Sequence, residues 1–244
     1  MTGCRVAVIG ATGGLGSAFV DALLADASVE CVHACARTPA PTDNARVQWH
    51  QLDLLDPISI AEAAAAIAAS GPLDVVLVAT GVLWSEQQGA ELKPEKSFSQ
   101  LTAAQMETMF RINTIGPALV LQQLLPLMRR DQRTVAAALS ARVGSISDNR
   151  LGGWHSYRAS KAALNMLVKG AAIEQRRTNP QTIVVGLHPG TVATHLSSPF
   201  RKGVAAEQLF TPAVAVQHLL QVIAHLQTAD SGRCFAWDGK EVLP

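Results

Sequence analysis

Tyr157 and Lys161 lie four residues apart in Tyr157-Arg-Ala-Ser-Lys161, so on a helix both heads project from one face. An ammonium beside a phenol stabilises the phenolate and lowers the tyrosine pKa from its usual value of ~10. The phenol can then exchange a proton with a substrate oxygen near neutral pH. Tyr157 is the only tyrosine in the chain. An exposed pair at this spacing is ordinary on any helix, so the weight comes from what accompanies it.

Gly10-Ala-Thr12-Gly-Gly14-Leu15-Gly16 lies between an apolar strand pattern, Arg5 to Ile9, and a helical one carrying Phe19, Val20, Leu23 and Leu24. Glycines there let backbone amides at the positive end of a helix approach a pyrophosphate, with Gly10, Thr12, Gly14, Leu15 and Gly16 as contacts. The spacing is G-x-x-x-G-x-G, and the strand–turn–helix context is what makes it a dinucleotide loop rather than a plain turn. About 20 positions on, where a ribose-reading residue belongs, the chain has Cys35-Ala36-Arg37 and no carboxylate. A guanidinium pairs with a 2′-phosphate, which favours NADP (NADPH) over NAD, unless Arg37 is simply a solvated loop arginine. Asp53, followed by Leu54, either accepts from the adenine amino group or caps a turn.

Asn113 precedes Thr-Ile-Gly116-Pro117 in a helical pattern. Pro117 supplies no N–H for the Asn113 carbonyl, which is free to hold a water, and the kink either turns the Asn113 side chain toward neighbouring backbone or only fits the helix round the core.

These residues need elements to hold them. Strand-like runs at Arg5–Ile9, Val29–Ala36, Val47–Leu52, Leu73–Ala79, Thr134–Leu139, Gln181–His188 and Arg233–Trp237 alternate with helical patterns from end to end. This predicts an α/β fold, a doubly wound, seven-stranded parallel sheet with helices on both faces. Asp56-Pro57, Thr102-Ala-Ala-Gln105 and Thr211-Pro212 read as helix starts, the second opening one long helix to about Arg130. A polar segment, Val82 to Leu101, precedes it. No linker or repeat interrupts the pattern, so residues 1–244 read as a single domain.

With 16% charged and 48% hydrophobic residues, the chain is no disordered segment, and a net charge of +1 with no basic block argues against nucleic acid or a membrane surface. The absence of a spanning stretch and a first strand that starts almost at Met1 predict a cytoplasmic protein. Cys4, Cys31, Cys35 and Cys234 lack zinc spacing, so free thiols and no metal are expected.

Taken together, the chain resembles the short-chain dehydrogenase/reductase (SDR) family over essentially its whole length. Gly10/Gly14/Gly16, Ala79-Thr80-Gly81, Asn113, Tyr157-x-x-x-Lys161 and Pro189-Gly190-Thr191 occur in the family's order. The run from Gly144 to Asn165 is similar to the C-factor and sniffer-type carbonyl reductase branch. The resemblance implies a Rossmann fold, NAD(P)-dependent carbonyl/alcohol chemistry on a small-molecule substrate, and a homodimer or homotetramer. It further implies that Tyr157 is the general acid, that Lys161 holds the nicotinamide ribose and tunes the tyrosine, and that Asn113 holds a relay water. Ala79, Thr80 and Gly81, with Pro189, Gly190, Thr191, Val192 and Thr194, would contact the cofactor, the latter group at the nicotinamide amide. A substrate lid would span about 195–210.

Two departures stand out. The family's Asn-Asn-Ala-Gly turn reads Val78-Ala79-Thr80-Gly81, without its asparagine bracing, and the substrate-orienting serine slot holds Ala141. Ser140 is expected to point to the other side of the strand end, which leaves Ser145 as the catalytic candidate and Ser147 behind it. An unfilled slot forfeits an oxyanion donor worth ~2.7–4 kcal/mol. The alternative expectation is therefore a catalytically weak or inactive dinucleotide-binding signalling or sensor protein.

Overall fold

The computed structural model describes residues 3–40, 42–85, 92–200 and 208–244. Among the described residues nine strands form: β1 (Cys4–Ile9), β2 (Val29–Ala36), β3 (Val47–Gln51), β4 (Val75–Val78), β5 (Thr134–Leu139), β6 (Thr182–His188), β7 (Thr191–Val192), β8 (Leu209–Phe210) and β9 (Cys234–Ala236). Seven build one parallel sheet in the order β3-β2-β1-β4-β5-β6-β9. The predicted doubly wound sheet is therefore present. The chain winds outward from β1 through β3, then returns to β4 and winds the other way. This opens a crevice at the carboxyl ends of β1 and β4, where ligands bind in such sheets.

Helices α1 (Gly14–Ala25) and α6 (Pro212–His225) cover one face. The opposite face carries α2 (Pro57–Ala68), α4 (Gly116–Leu124) and α5 (His155–Thr178), with α3 (Ala103–Phe110) leading into α4. Alternation along β1 sends Val6 and Val8 to the first core and Ala7 and Ile9 to the second, all 0–1% exposed. Strands buried on both faces read as continuous apolar runs for this reason. The predicted helix starts are all capped: Asp56 accepts from Ile58 N, Thr102 from Gln105 N and Thr211 from Val214 N.

Two expectations need correction. The single helix from Thr102 to Arg130 is instead α3, a π-turn at Arg111–Ile115, α4 and a 3₁₀ turn at Leu125–Leu127. Proline explains both breaks, because Pro117 and Pro126 have no N–H to give the preceding turn. Second, β7 and β8 pair as a separate parallel ribbon, Thr191 with Leu209 and Val192 with Phe210. Two-residue strands have no period to detect. The four cysteines are free, and among the described residues no His/Cys/Asp/Glu group could hold a metal. No described helix is long and apolar enough to cross a membrane.

Candidate active site

The glycine turn is locked to the end of β2, because Gly10 N and Ala11 N both donate to Cys35 O, at 2.9 and 3.0 Å. That places exposed Arg37, two residues beyond Cys35, beside the turn, with no hydrogen bond or ion pair to a described residue. Gly10 has φ +84°, and a Cβ on Gly16 would lie 2.0 Å from Gly10 O, so neither position admits a side chain. No side chain caps α1, whose first-turn amides face the crevice mouth. Across the crevice, Thr80 Oγ1 is buried without a partner. A bare cradle, an uncapped helix start, an orphaned hydroxyl and a free guanidinium fit a phosphorylated dinucleotide. Thr12 is exposed, whereas Leu15 packs partly into the core. Asp53 Oδ1 accepts from Leu55 N at 2.9 Å, which is a turn cap, and Leu54 packs its Cβ against Gly116.

Tyr157 and Lys161 both lie buried on α5, Nζ standing 5.9 Å from the centre of the phenol ring. Gly81 borders both residues: a Cβ there would be 3.4 Å from Lys161 Nζ and 3.5 Å from Asn113 Oδ1. Asn113 turns its amide to backbone as expected, accepting from Val82 N at 2.8 Å and donating to Val82 O at 2.9 Å. It thereby braces the loop after β4 in place of the asparagines missing from Val78-Ala79-Thr80-Gly81. The π-turn is also tied to α5, through Asn113 Nδ2 to Ser160 Oγ (3.2 Å) and Thr114 Oγ1 to Ser160 O (2.7 Å). The distortion thus serves to join the helix carrying Asn113 to the helix carrying the reactive pair.

The electrostatics differ from the expectation. Burial pushes the Tyr157 phenol up rather than down, and lowers Lys161 to about 8. Burial is the cause at both groups, and Nζ donates to Leu139 O at 2.9 Å, at the end of β5. The ammonium is spent on a carbonyl while the phenol is stripped of water.

Ala141 is buried against Tyr157, Leu83, Leu92 and Met109. Ser140 points to the other side, its Oγ 2.6 Å from Asn165 Oδ1. Ser145 Oγ accepts from Asp148 N at 3.1 Å and lies 3.4 Å from Ser147 Oγ, which itself donates to Pro244 O at 2.6 Å. The structure therefore brings Tyr157, Lys161, Asn113 and Gly81 together, and engages Ser145 and Ser147 in the turn after β5.

The segment after β6 closes the crevice. Thr194 Cγ2 would be 2.7 Å from a Cβ on Gly14, and Leu196 reaches Gly81. Trp154, Leu196 and Phe200 pack around Tyr157, and Trp84 stacks on His195 with centroids 4.6 Å apart. Phe210 and Trp237 take the space beside Gly190, whose φ of +78° continues the turn from Pro189 into Thr191 and Val192. Of the expected lid, residues 201–207 lie outside the described residues. A cleft of about 590 Å³ lined by His218, His225, Asp230 and Trp237 lies on the α6 side and holds none of this chemistry.

The short chain dehydrogenase family profile matches residues 5–205. The chain belongs to the short chain dehydrogenase family. It is thus one of the NAD(P)-dependent oxidoreductases. This family member is 33% identical to C-signal of Myxococcus xanthus over 71% of the chain and 93% of that protein. It is 30% identical to 1-hydroxy-2-glutathionyl-2-methyl-3-butene dehydrogenase of Rhodococcus sp. strain AD45 over 96% of each. The NADPH-bound carbonyl reductase from chicken fatty liver superposes over the whole of both chains with a TM-score of 0.86 at 28% identity. Carbonyl reductase Sniffer of D. melanogaster, at 18% identity and a TM-score of 0.82, shares the fold.

Sequence reasoning missed Glu95, a 2%-exposed carboxylate bonded to Ser156 beside Tyr157. A signal existed: Gly152-Gly153-Trp154 offers α5 no capping side chain, so a cap had to come from elsewhere.

Proposed function

We propose that the protein is an NADPH-dependent reductase that converts a carbonyl to an alcohol, with Tyr157 as general acid. The observation carrying this reading is that Tyr157 and Lys161 share one face of α5 and lie buried with Gly81 and Asn113 at the carboxyl ends of the strands. The glycine turn and the first turn of α1 would hold the diphosphate, and Arg37 the 2′-phosphate. The similarity to a reductase described as NADPH-bound supports this choice over NADH.

When bound, NADPH supplies a hydride. Tyr157 Oη gives the substrate oxygen its proton. Lys161 holds the nicotinamide ribose and, once charged, favours the phenolate left behind. Asn113 fixes Val82 and the floor of the crevice and carries the carbonyl for a relay water. Trp154, Leu196 and Phe200 cover the cluster around Tyr157 from bulk water, and Thr194 and Leu196, which approach Gly14 and Gly81, would border a bound nucleotide.

In this reading Ala141 leaves the substrate oxygen short of one donor. Ser145 accepts from Asp148 N and keeps its O–H to donate, so it can supply the bond only if the turn after β5 brings that hydroxyl to the substrate oxygen. A cofactor-bound signalling protein would have no use for a buried phenol and amine at this edge, so the reductase is the reading these features favour. Purified protein assayed for NADPH oxidation with a panel of aldehydes and ketones tests it. Turnover with at least one class is expected, and none across the panel would refute it.

A further inference from the structure

Helix α5 begins one residue after Gly152, Gly153 and Trp154, all in the left-handed region with φ of +62°, +67° and +51°. Tryptophan rarely adopts such a conformation. Trp154, the residue at the cap position, makes no side-chain cap. The first turn of the helix bearing Tyr157 therefore has no means of its own to satisfy its amides.

The missing partner arrives from a distant segment. Glu95 accepts from Ser156 N at 3.2 Å and from Ser156 Oγ, and its backbone oxygen accepts from Trp154 N at 2.5 Å. Both Glu95 and Ser156 are buried, at 2% and 0% exposed. Phe98, three residues on, packs edge-on against His155 with centroids 5.3 Å apart. A buried carboxylate at the positive end of a helix, accepting two bonds from one residue, is a cap supplied in trans.

We infer that Glu95 is a positioning residue for Tyr157: it holds the first turn of α5 in the register that aims the phenol into the crevice. The inference rests on Tyr157 being the proton donor, but it has a readout of its own. Lys161, one turn deeper, is held independently by Leu139 O, and Ser160 by Asn113 and Thr114. Loss of Glu95 leaves the Ser156 amide and hydroxyl without an acceptor. That loosens residues 155–157 while the cofactor-side anchors stay in place.

Because Tyr157 is the only tyrosine, ultraviolet titration of the phenol reads this one side chain in the whole protein. Glu95→Ala is expected to move the tyrosine midpoint toward its ordinary value by about one pH unit or more, as water reaches the ring. It is expected to lower kcat by about tenfold or more while NADPH affinity stays within about twofold. Glu95→Gln retains an acceptor for Ser156 and should recover most of both. A Glu95→Ala protein with a lower thermal midpoint but wild-type tyrosine titration and kcat would overturn the inference and reduce Glu95 to a stabilising contact. If Glu95→Ala does not fold, Ser156→Ala must show the same shifts in smaller measure, and unchanged values there overturn it equally. Wild-type protein that reduces no carbonyl would count against the reductase reading alone, because the tyrosine titration would still report on Glu95.

Discussion

Lys161 Nζ donates to the Leu139 carbonyl at 2.9 Å while standing 5.9 Å from the centre of the Tyr157 ring. One ammonium therefore closes the end of β5 and faces the phenol. Burial lowers its pKa to about 8 from the usual ~10.4 for lysine, so the ligand-free protein loses this charge as pH rises through 8. Affinity for anionic NADPH should weaken across that range. Lys161→Met should bind weakly at every pH and lack the step. Binding to the wild type that is flat from pH 7 to 9 would contradict this assignment.

Most of the scaffold is legible in the residues because its strands are buried on both faces. Leu73–Ala79 and Thr134–Leu139 have no polar face to blur them, and the caps at Asp56, Thr102 and Thr211 act within three residues of themselves. What escaped detection depends on long-range contact. The β7–β8 ribbon exists only because Thr191 meets Leu209, and Glu95 caps a helix that starts 60 residues away at His155. The direction of the Tyr157 shift was misread for a related reason: the Tyr157–Lys161 spacing shows a neighbouring charge but not the burial imposed by Trp154, Leu196 and Phe200.

On the proposed function, Arg37 would carry the coenzyme preference. Arg37→Ala removes a charge-assisted bond of about 1.5–3 kcal/mol, so NADPH should bind roughly ten- to a hundredfold more weakly while NADH is unaffected. Calorimetric titration with both nucleotides measures this. An unchanged NADPH:NADH ratio would show that Arg37 is only a surface arginine.

On the proposed function, Ala141 would stand where an oxyanion donor is missing. Ala141→Ser should raise kcat, with a ceiling set by the ~2.7–4 kcal/mol an oxyanion donor supplies. Ser145→Ala should leave kcat within about twofold, because its hydroxyl serves Asp148 N. A loss of about a hundredfold in Ser145→Ala would instead mean that Ser145 swings in during turnover.

Acid should unfold the protein earlier than its carboxylates alone would dictate. Burial lowers His33 to about 4, with His50 3.0 Å away adding to the effect, and lowers His188 to about 4. The unfolded chain binds protons at these sites below pH ~6.5 and the folded one does not until pH ~4, so stability declines as pH falls through that window. Urea unfolding at pH 7 and pH 5 should show the loss, and His188→Gln should lessen it. Equal stability at both pH values would contradict the burial argument.

The most direct measurement is on Tyr157→Phe, comparing NADPH-dependent carbonyl reduction with NADPH binding in the same preparation. Removal of the hydroxyl should lower kcat by about 10²-fold or more, with affinity for the nucleotide kept within a few-fold. A variant that turns over at the wild-type rate would contradict the account, because the proton would then come from a group other than the Tyr157 hydroxyl.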